Sequence, residues 1–237
     1  MKKLLITIDG PAGAGKTTVS RALADRLGYR YIDTGALYRG VAYGAKTRGV
    51  APGDDAALAR MLEGLRLGFQ RTEKGLRLTA DGEDISDRIR TPEISMLASA
   101  VSARPAVRAF LLQVQRELGR EKAAVFEGRD MGTVVFPAAD VKFFLSASEA
   151  TRAQRRFAEL QGQSPVSLEA VERDMRRRDE QDSTRAIAPL RPAVDAIRID
   201  SSAITIDQVV EMMLGHVTRA AGRSALRHAG ARVYSAI

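Results

Sequence analysis

The sequence predicts an α/β fold, a five-stranded parallel β-sheet flanked by helices in three layers, and three observations lead there. Five short apolar runs of strand length are separated by stretches with helical periodicity. A glycine-rich loop stands between the first of these runs and the first helix. A mid-chain stretch of short alternating segments, broken by turn residues, interrupts the pattern and reads as an insertion.

Leu4 to Asp9 is the first apolar run. Residues 15 to 27 then set Val19, Ala22, Leu23 and Leu27 on one helical face, and Gly28 is placed as a C-cap. Between strand and helix stands Gly10-Pro11-Ala12-Gly13-Ala14-Gly15-Lys16-Thr17, followed by Thr18. Glycines at this spacing let consecutive N–H groups turn inward around a triphosphate. The helix N-terminus adds partial positive charge and Lys16 a full one. The alternative, a glycine-rich turn with no ligand, fits the flanking strand and helix poorly, so the loop predicts binding of ATP or GTP. Thr17 offers a hydroxyl to Mg²⁺ carried by the nucleotide.

Tyr29 to Ile32 is a short second strand, and Asp33-Thr34-Gly35 leads into a helix ending near Arg48. A helix over 54 to 63 precedes the insertion, where Leu65 to Phe69 and Gly75 to Thr79 suit a small antiparallel sheet. Thr91-Pro92-Glu93 and Arg104-Pro105 each start a helix, the second reaching about Leu118. Ala123 to Phe126, Val141 to Ser146 and Ala196 to Ile199 complete the strands. Helices at 148 to 162, at 167 to 185 and from Thr205 fill the remainder, the last opened by the capping box Thr205-Ile206-Asp207-Gln208.

Composition narrows the chemistry. At 237 residues and 45% hydrophobic content the chain can bury a core. It holds no cysteine, which excludes disulfides and thiolate nucleophiles, and its two histidines, His216 and His228, lie near the end. A site here works with carboxylates, hydroxyls and cations. The apolar run after Met1-Lys2-Lys3 stops at Asp9, too short for a secretory core, and no stretch reaches membrane-spanning length, so a cytoplasmic location is expected. The net charge is +8, and half of it lies beyond Glu211, where Arg219, Arg223, Arg227 and Arg232 meet no carboxylate. Arginine far outnumbers lysine, which suits phosphate binding by planar forked donors as well as a compositional bias.

Three charged clusters fall at strand ends or on helix faces. Asp33-Thr34-Gly35-Ala36-Leu37-Tyr38-Arg39 follows the second strand at the carboxyl edge of the sheet, where open α/β folds bind ligands; Arg39 is either a phosphate clamp or a solvated arginine on a capped helix. Glu127-Gly128-Arg129-Asp130-Met131-Gly132-Thr133 follows the third strand, and its paired glycines favour close approach of a ligand over a merely tied turn. Arg178, Asp182 and Arg185 share one helical face, and Arg152, Arg155 and Arg156 form a second basic face. Taken alone, both faces read as solvated helices with ion pairs.

In this order the segments resemble the bacterial cytidylate kinases, in the nucleoside monophosphate kinase group of P-loop proteins. The resemblance covers residues 4 to about 215 and is carried by Asp9 to Lys16, Asp33 to Arg39, Gly128 to Pro137, and Arg178-Asp179-x-x-Asp182-Ser183-Thr184-Arg185 with Ala188-Pro189-Leu190. It implies a P-loop kinase domain with a monophosphate-binding insert over 64–118 and a mobile lid over 152–165. It leaves a basic tail over 220–237 without a family counterpart. It implies that Gly10, Pro11, Ala12, Gly13, Ala14, Gly15, Lys16, Thr17 and Thr18 hold ATP, and that Arg39 and Arg129 hold the acceptor phosphate. Arg178 and Arg185 reach the transferring phosphoryl group, and Asp182 with Arg178 contacts the ribose. Ser99, Arg108 and Asp130 read the base, and Thr34 belongs with the acceptor-binding residues. Many monophosphate kinases have glycine where Thr17 stands, which leaves either Thr17 or Thr18 to meet Mg²⁺.

The reaction so implied is transfer of the γ-phosphoryl group of ATP to CMP or dCMP, by a monomer with no nucleic-acid or membrane partner. The nearest alternative is a kinase for another small acceptor such as UMP or shikimate. A GTP-driven switch reads guanine with an Asn-Lys-x-Asp motif, and this chain contains no asparagine. A nucleic-acid module would use Arg173 to Arg178, but Glu172, Asp174, Asp179, Glu180 and Asp182 interrupt that face.

Overall fold

The computed structural model describes residues 3–73, 75–161 and 166–233, with side chains described up to residue 222. Part of the expected lid, 162–165, and the end of the expected tail, 234–237, therefore lie outside the described residues, as do the side chains of the tail from residue 223.

The strands and helices follow in the order β1 (Leu5–Asp9), α1 (Lys16–Leu27), β2 (Arg30–Asp33), α2 (Thr34–Thr47), α3 (Asp55–Gly64), β3 (Leu67–Thr72), β4 (Gly75–Ala80), β5 (Glu83–Asp84), α4 (Pro92–Ser102), α5 (Pro105–Gly119), β6 (Ala124–Gly128), β7 (Val141–Ser146), α6 (Glu149–Leu160), α7 (Leu168–Thr184), β8 (Ile197–Asp200) and α8 (Ile206–Val233). A π-helical turn, Met131–Val135, follows β6. The chain forms two compact units, one from the residues up to Tyr31 with those from Glu121 onward, the other from Ile32 to Arg120.

The first unit is built on a parallel sheet of order β2-β6-β1-β7-β8. All five residues of β1 and of β6 are buried, which is why both read as apolar runs without alternation. In register, Asp9 stands beside Gly128 of β6 and Phe144 of β7, so the chemistry-bearing ends of the strands share one edge. Ile6, Ile8, Val125 and Phe143 of the sheet pack with Val19 and Leu23 of α1 and with Val209, Met213 and Val217 of α8. A satellite cluster of Ala153, Val171 and Met175 joins α6 to α7.

The second unit packs α2 to α5 against the antiparallel sheet β3-β4-β5. Its core contains Leu37, Val41, Leu58, Leu78, Ile85, Val107 and Leu111. The helices start on local signals. Asp33, Asp54 and Thr91 each accept a backbone N–H three residues on, from Ala36, Ala57 and Ile94. In the first unit the box opening α8 closes in both directions, with Gln208 N–H donating to Thr205 Oγ1 and Thr205 N–H to Gln208 Oε1.

Two elements depart from the sequence expectation. Asp81-Gly82-Glu83 is a tight turn but continues into β5, a third strand two residues long that pairs with β4. The loop after β6 coils into the π-helical turn because its N–H groups reach a carboxylate far away in sequence: Met131 and Gly132 donate to Asp9 at 2.9 and 2.7 Å.

Gly10 ends β1 with φ of 151°, and a Cβ there would lie 2.0 Å from the carbonyl oxygen of Leu145 in β7. Gly10→Ala combines backbone strain with a clash against a central strand, and is expected to lower the unfolding free energy by about 3 kcal/mol or more. Urea unfolding checks it; a loss within about 0.5 kcal/mol contradicts the close approach.

Candidate active site

The site in the first unit begins where β1 delivers the chain to α1. Gly15, left-handed at φ 83°, is the N-cap of α1; no side chain caps the helix and its first turn holds no acidic residue. A helix start normally recruits a Ser, Asp or Glu, and here its N–H groups and partial positive charge are left for an anion.

Lys16 is 5% exposed and its Nζ donates to the carbonyl of Pro11 at 2.6 Å. Burial, and then the charge of Arg129, push its pKa down to about 7, against the pull of Glu127, Asp9 and Asp182. Asp9 moves the other way. Burial pushes it up to about 6, although the N–H groups of Gly132 and Met131 favour its charged form.

Glu127, also buried, gathers two hydroxyls: Thr17 Oγ1 donates to its Oε1 at 2.9 Å and Tyr31 to its Oε2 at 2.5 Å. Thr17 itself stays exposed, as does Thr18. A hydroxyl oxygen backed by a carboxylate is a hard-oxygen donor set that fits Mg²⁺. Of the two threonines, Thr17 is the one bonded to the carboxylate.

The cations after β6 and on α7 are brought together with carboxylates. Arg129 Nε donates to Asp182 Oδ2 at 3.0 Å. Arg185 lies 3.8 Å from Asp182 Oδ1 and 3.6 Å from Asp130 Oδ1, and its Nε donates to the carbonyl of Ala188 at 2.6 Å. Asp130 is 2% exposed. Arg178, one helical turn before Asp182, keeps solvent exposure; surrounding protein and then Arg129 lower its pKa, with Asp182 opposing. As a guanidinium it remains charged at any working pH. The face of α7 that sequence alone reads as solvated is thus one side of a charge network.

The remaining predicted residues belong to the second unit. Asp33 caps α2 and also pairs with Arg39 at 2.8 Å, so the segment is a capped helix whose arginine is held by its own capping carboxylate. Thr34 is buried in the first turn of α2. The guanidinium of Arg108 sits 5.9 Å above the ring of Tyr38 and donates to the carbonyl of Ser102 at 3.4 Å. Ser99 lies on the exposed face of α4.

Sequence reasoning passed over Asp9 and Glu127 as working groups. The signal is present: each stands at the end of an apolar strand next to a glycine at the carboxyl edge of the sheet, where open α/β folds bind ligands. Among the described residues no group of three or more His, Cys, Asp or Glu side chains forms a metal cluster, and no helix is long and apolar enough to cross a membrane.

The family model described as cytidylate kinase matches residues 6–219. The chain belongs to the cytidylate kinase family. It is 53% identical over 211 residues to the cytidylate kinase of Geobacter sulfurreducens (strain ATCC 51573 / DSM 12127 / PCA), a match covering 89% of this chain and 91% of that one. To the cytidylate kinase of Symbiobacterium thermophilum (strain DSM 24528 / JCM 14929 / IAM 14863 / T) it is 44% identical over 220 residues, covering 92% and 97%. A solved gluconokinase from Sinorhizobium meliloti 1021 shares the fold, with a TM-score of 0.50 at 14% identity over 95% of this chain and 97% of that one. As a member of this family the chain is an enzyme, a phosphotransferase with a P-loop fold.

The lowered pKa of Lys16 makes stability depend on pH. The unfolded chain holds the Lys16 proton up to about 10.5 while the folded one releases it near 7, so the folded state gains as pH rises between these values. This contribution is complete above the unfolded pKa and is lost as pH falls through about 7. The unfolding free energy of the wild type relative to Lys16→Met is expected to rise by about 3–5 kcal/mol from near pH 7 to near pH 10. Denaturant titrations at several pH values test this, and parallel curves for the two proteins rule it out.

Proposed function

We propose that this enzyme transfers the γ-phosphoryl group of ATP to CMP or dCMP, giving CDP or dCDP and ADP. One observation supports the reading: Lys16 opens an uncapped helix within reach of the charge of Arg129, and Arg129 shares Asp182 with Arg178 and Arg185, with no histidine among them. That arrangement suits phosphoryl transfer between two polyanions, where catalysis is positioning and charge stabilisation.

The acceptor needs no general base. The second pKa of a phosphate monoester is about 6, so the attacking oxygen of CMP is already mostly ionised near neutral pH. That oxygen forms a bond to the γ-phosphorus while the bond to the β,γ-bridging oxygen breaks, and ADP leaves with the electron pair. The loop N–H groups and Lys16 hold the donor phosphates. Arg39 and Arg129 hold the acceptor phosphate, and Arg178 and Arg185 spread the charge of the moving group. Thr17, with Glu127 behind it, would hold Mg²⁺, which would supply charge neutralisation on the donor phosphates.

Asp130 supports the choice of base. A buried carboxylate accepts from the exocyclic amino group of cytosine, where uracil presents an oxygen. Asp182 and Arg178 contact the ribose, Ser99 and Arg108 the base, and Thr34 lies with the acceptor. The insert at 64–118 serves the monophosphate, whereas residues 152–160 of the expected lid belong to α6, whose Arg152 is tied to the phosphate loop and to Asp179 and does not move as a free lid on this reading. The enzyme acts on free nucleotides as a monomer in the cytoplasm, with no nucleic-acid or membrane partner.

Steady-state rates with CMP, dCMP, UMP, AMP and GMP test the whole reading: CMP and dCMP are expected to lead the panel, and absence of CDP formation with Mg²⁺ and ATP refutes it. For the base, the CMP:UMP ratio of kcat/KM is expected between about tenfold and a few hundredfold in wild type. Asp130→Ala lowers CMP turnover and narrows that ratio; an unchanged ratio removes Asp130 from base recognition.

A further inference from the structure

The phosphate loop is held by its carbonyls as well as offering its N–H groups. Lys16 Nζ donates to Pro11 O at 2.6 Å, and Arg152 Nη1 to Ala12 O at 3.1 Å. Ser201 Oγ lies 3.2 Å from Ala14 O and 3.1 Å from Ser146 O, with one proton for the two. Lys16 belongs to the loop. Arg152 and Ser201 do not, and each is fixed in turn by a further residue.

Arg152 is 6% exposed on α6, and the basic face it shares with Arg155 is not a solvated one. Its Nε donates to Ala147 O at 3.0 Å and its Nη1 to Asp179 Oδ2 of α7 at 2.5 Å. Arg155 donates from Nη1 to Ser201 Oγ at 3.0 Å and from Nη2 to Ser201 O at 2.7 Å. The loop also abuts both helices: a Cβ on Gly13 would stand 2.8 Å from Arg152 O and 2.8 Å from Met175 Cε. On α7, Val171, Met175 and Asp179 recur every four residues on the strip packed toward α6, and Arg178 and Asp182 stand three residues on from Met175 and Asp179, on the adjoining strip.

In a trans peptide the C=O and the following N–H point in opposite directions. A carbonyl pulled outward by Arg152 therefore turns the next N–H, that of Gly13, to the opposite side, and one pulled by Ser201 does the same for Gly15. We propose that Arg152, fixed by Asp179, is a positioning residue that aims the Gly13 N–H at the donor phosphates. This rests on the reading that the loop holds the donor. A guanidinium is required because one rigid fork must reach Ala12, Ala147 and Asp179 together, which a lysine ammonium on a flexible stem does not reproduce.

The probe is inorganic tripolyphosphate, which has phosphates but neither base nor sugar, titrated calorimetrically into the purified full chain; CMP is titrated in parallel. Arg152→Lys is expected to weaken tripolyphosphate binding about tenfold and Asp179→Asn about threefold or more, with CMP affinity within twofold of wild type. The double variant is expected to be no weaker than Arg152→Lys alone, because both changes remove one linkage. A general loosening of the fold would weaken both ligands together, so equal losses overturn the proposal, as does wild-type tripolyphosphate affinity in both variants. If Arg152→Lys does not fold, Asp179→Asn, nearly isosteric and with its side chain 23% exposed, decides alone. Direct binding is measured here, so the outcome stands apart from whether CMP is phosphorylated.

Discussion

A buried ammonium governs this structure. Lys16 lies inside the loop, and an isolated charge there is costly. The protein answers with Asp9, Glu127 and Asp182 around it and with the Pro11 carbonyl as a direct acceptor. Even so, desolvation outweighs these partners and the lysine's pKa falls to about 7. On the proposed reading a bound triphosphate adds the negative charge that the carboxylates supply only in part. That is differential stabilisation in favour of the bound state.

The same economy extends along the strand ends. Asp182 binds Arg129 and approaches Arg185, and Asp130 approaches Arg185 from the other side. These carboxylates balance part of the arginines' charge and limit their mutual repulsion. Asp9 has a different task. It ties the first central strand to the turn that follows β6, through the N–H groups of Met131 and Gly132, and so fixes the backbone immediately after Arg129 and Asp130. Its raised pKa is the cost of placing that tie in the core.

What the sequence made legible was local. Helix starts at Asp33, Asp54, Thr91 and Thr205 depend on partners three residues away, and apolar runs such as Leu5–Asp9 announce burial by themselves. The glycine-rich loop is equally local, since its spacing is its mechanism. What stayed hidden depends on distant partners. The π-helical turn at Met131 needs a carboxylate at Asp9, and β5 needs the edge of β4 to become a strand at all. Arg152 and Arg156 look alike on a helix, yet one is buried against the loop and the other pairs with Glu159 at the surface. Periodicity assigns both to one basic face; which of them turns inward is decided by Ala12 and Asp179.

Arginine's prevalence then acquires a physical sense beyond composition. A base-catalysed reaction would require a group tuned to titrate near neutrality, and burial alone could tune a histidine or a carboxylate for it. Phosphoryl transfer between ionised phosphates requires charges that do not titrate and donors whose directions are set before the ligand arrives. Guanidinium groups meet both conditions, whether they face the substrate, as Arg129 and Arg185 do on this reading, or stand behind the loop, as Arg152 and Arg155 do. The lone lysine among them, Lys16, sits where the closest approach to a compact anion matters more than a fork, and it alone accepts a large fall in pKa to be there.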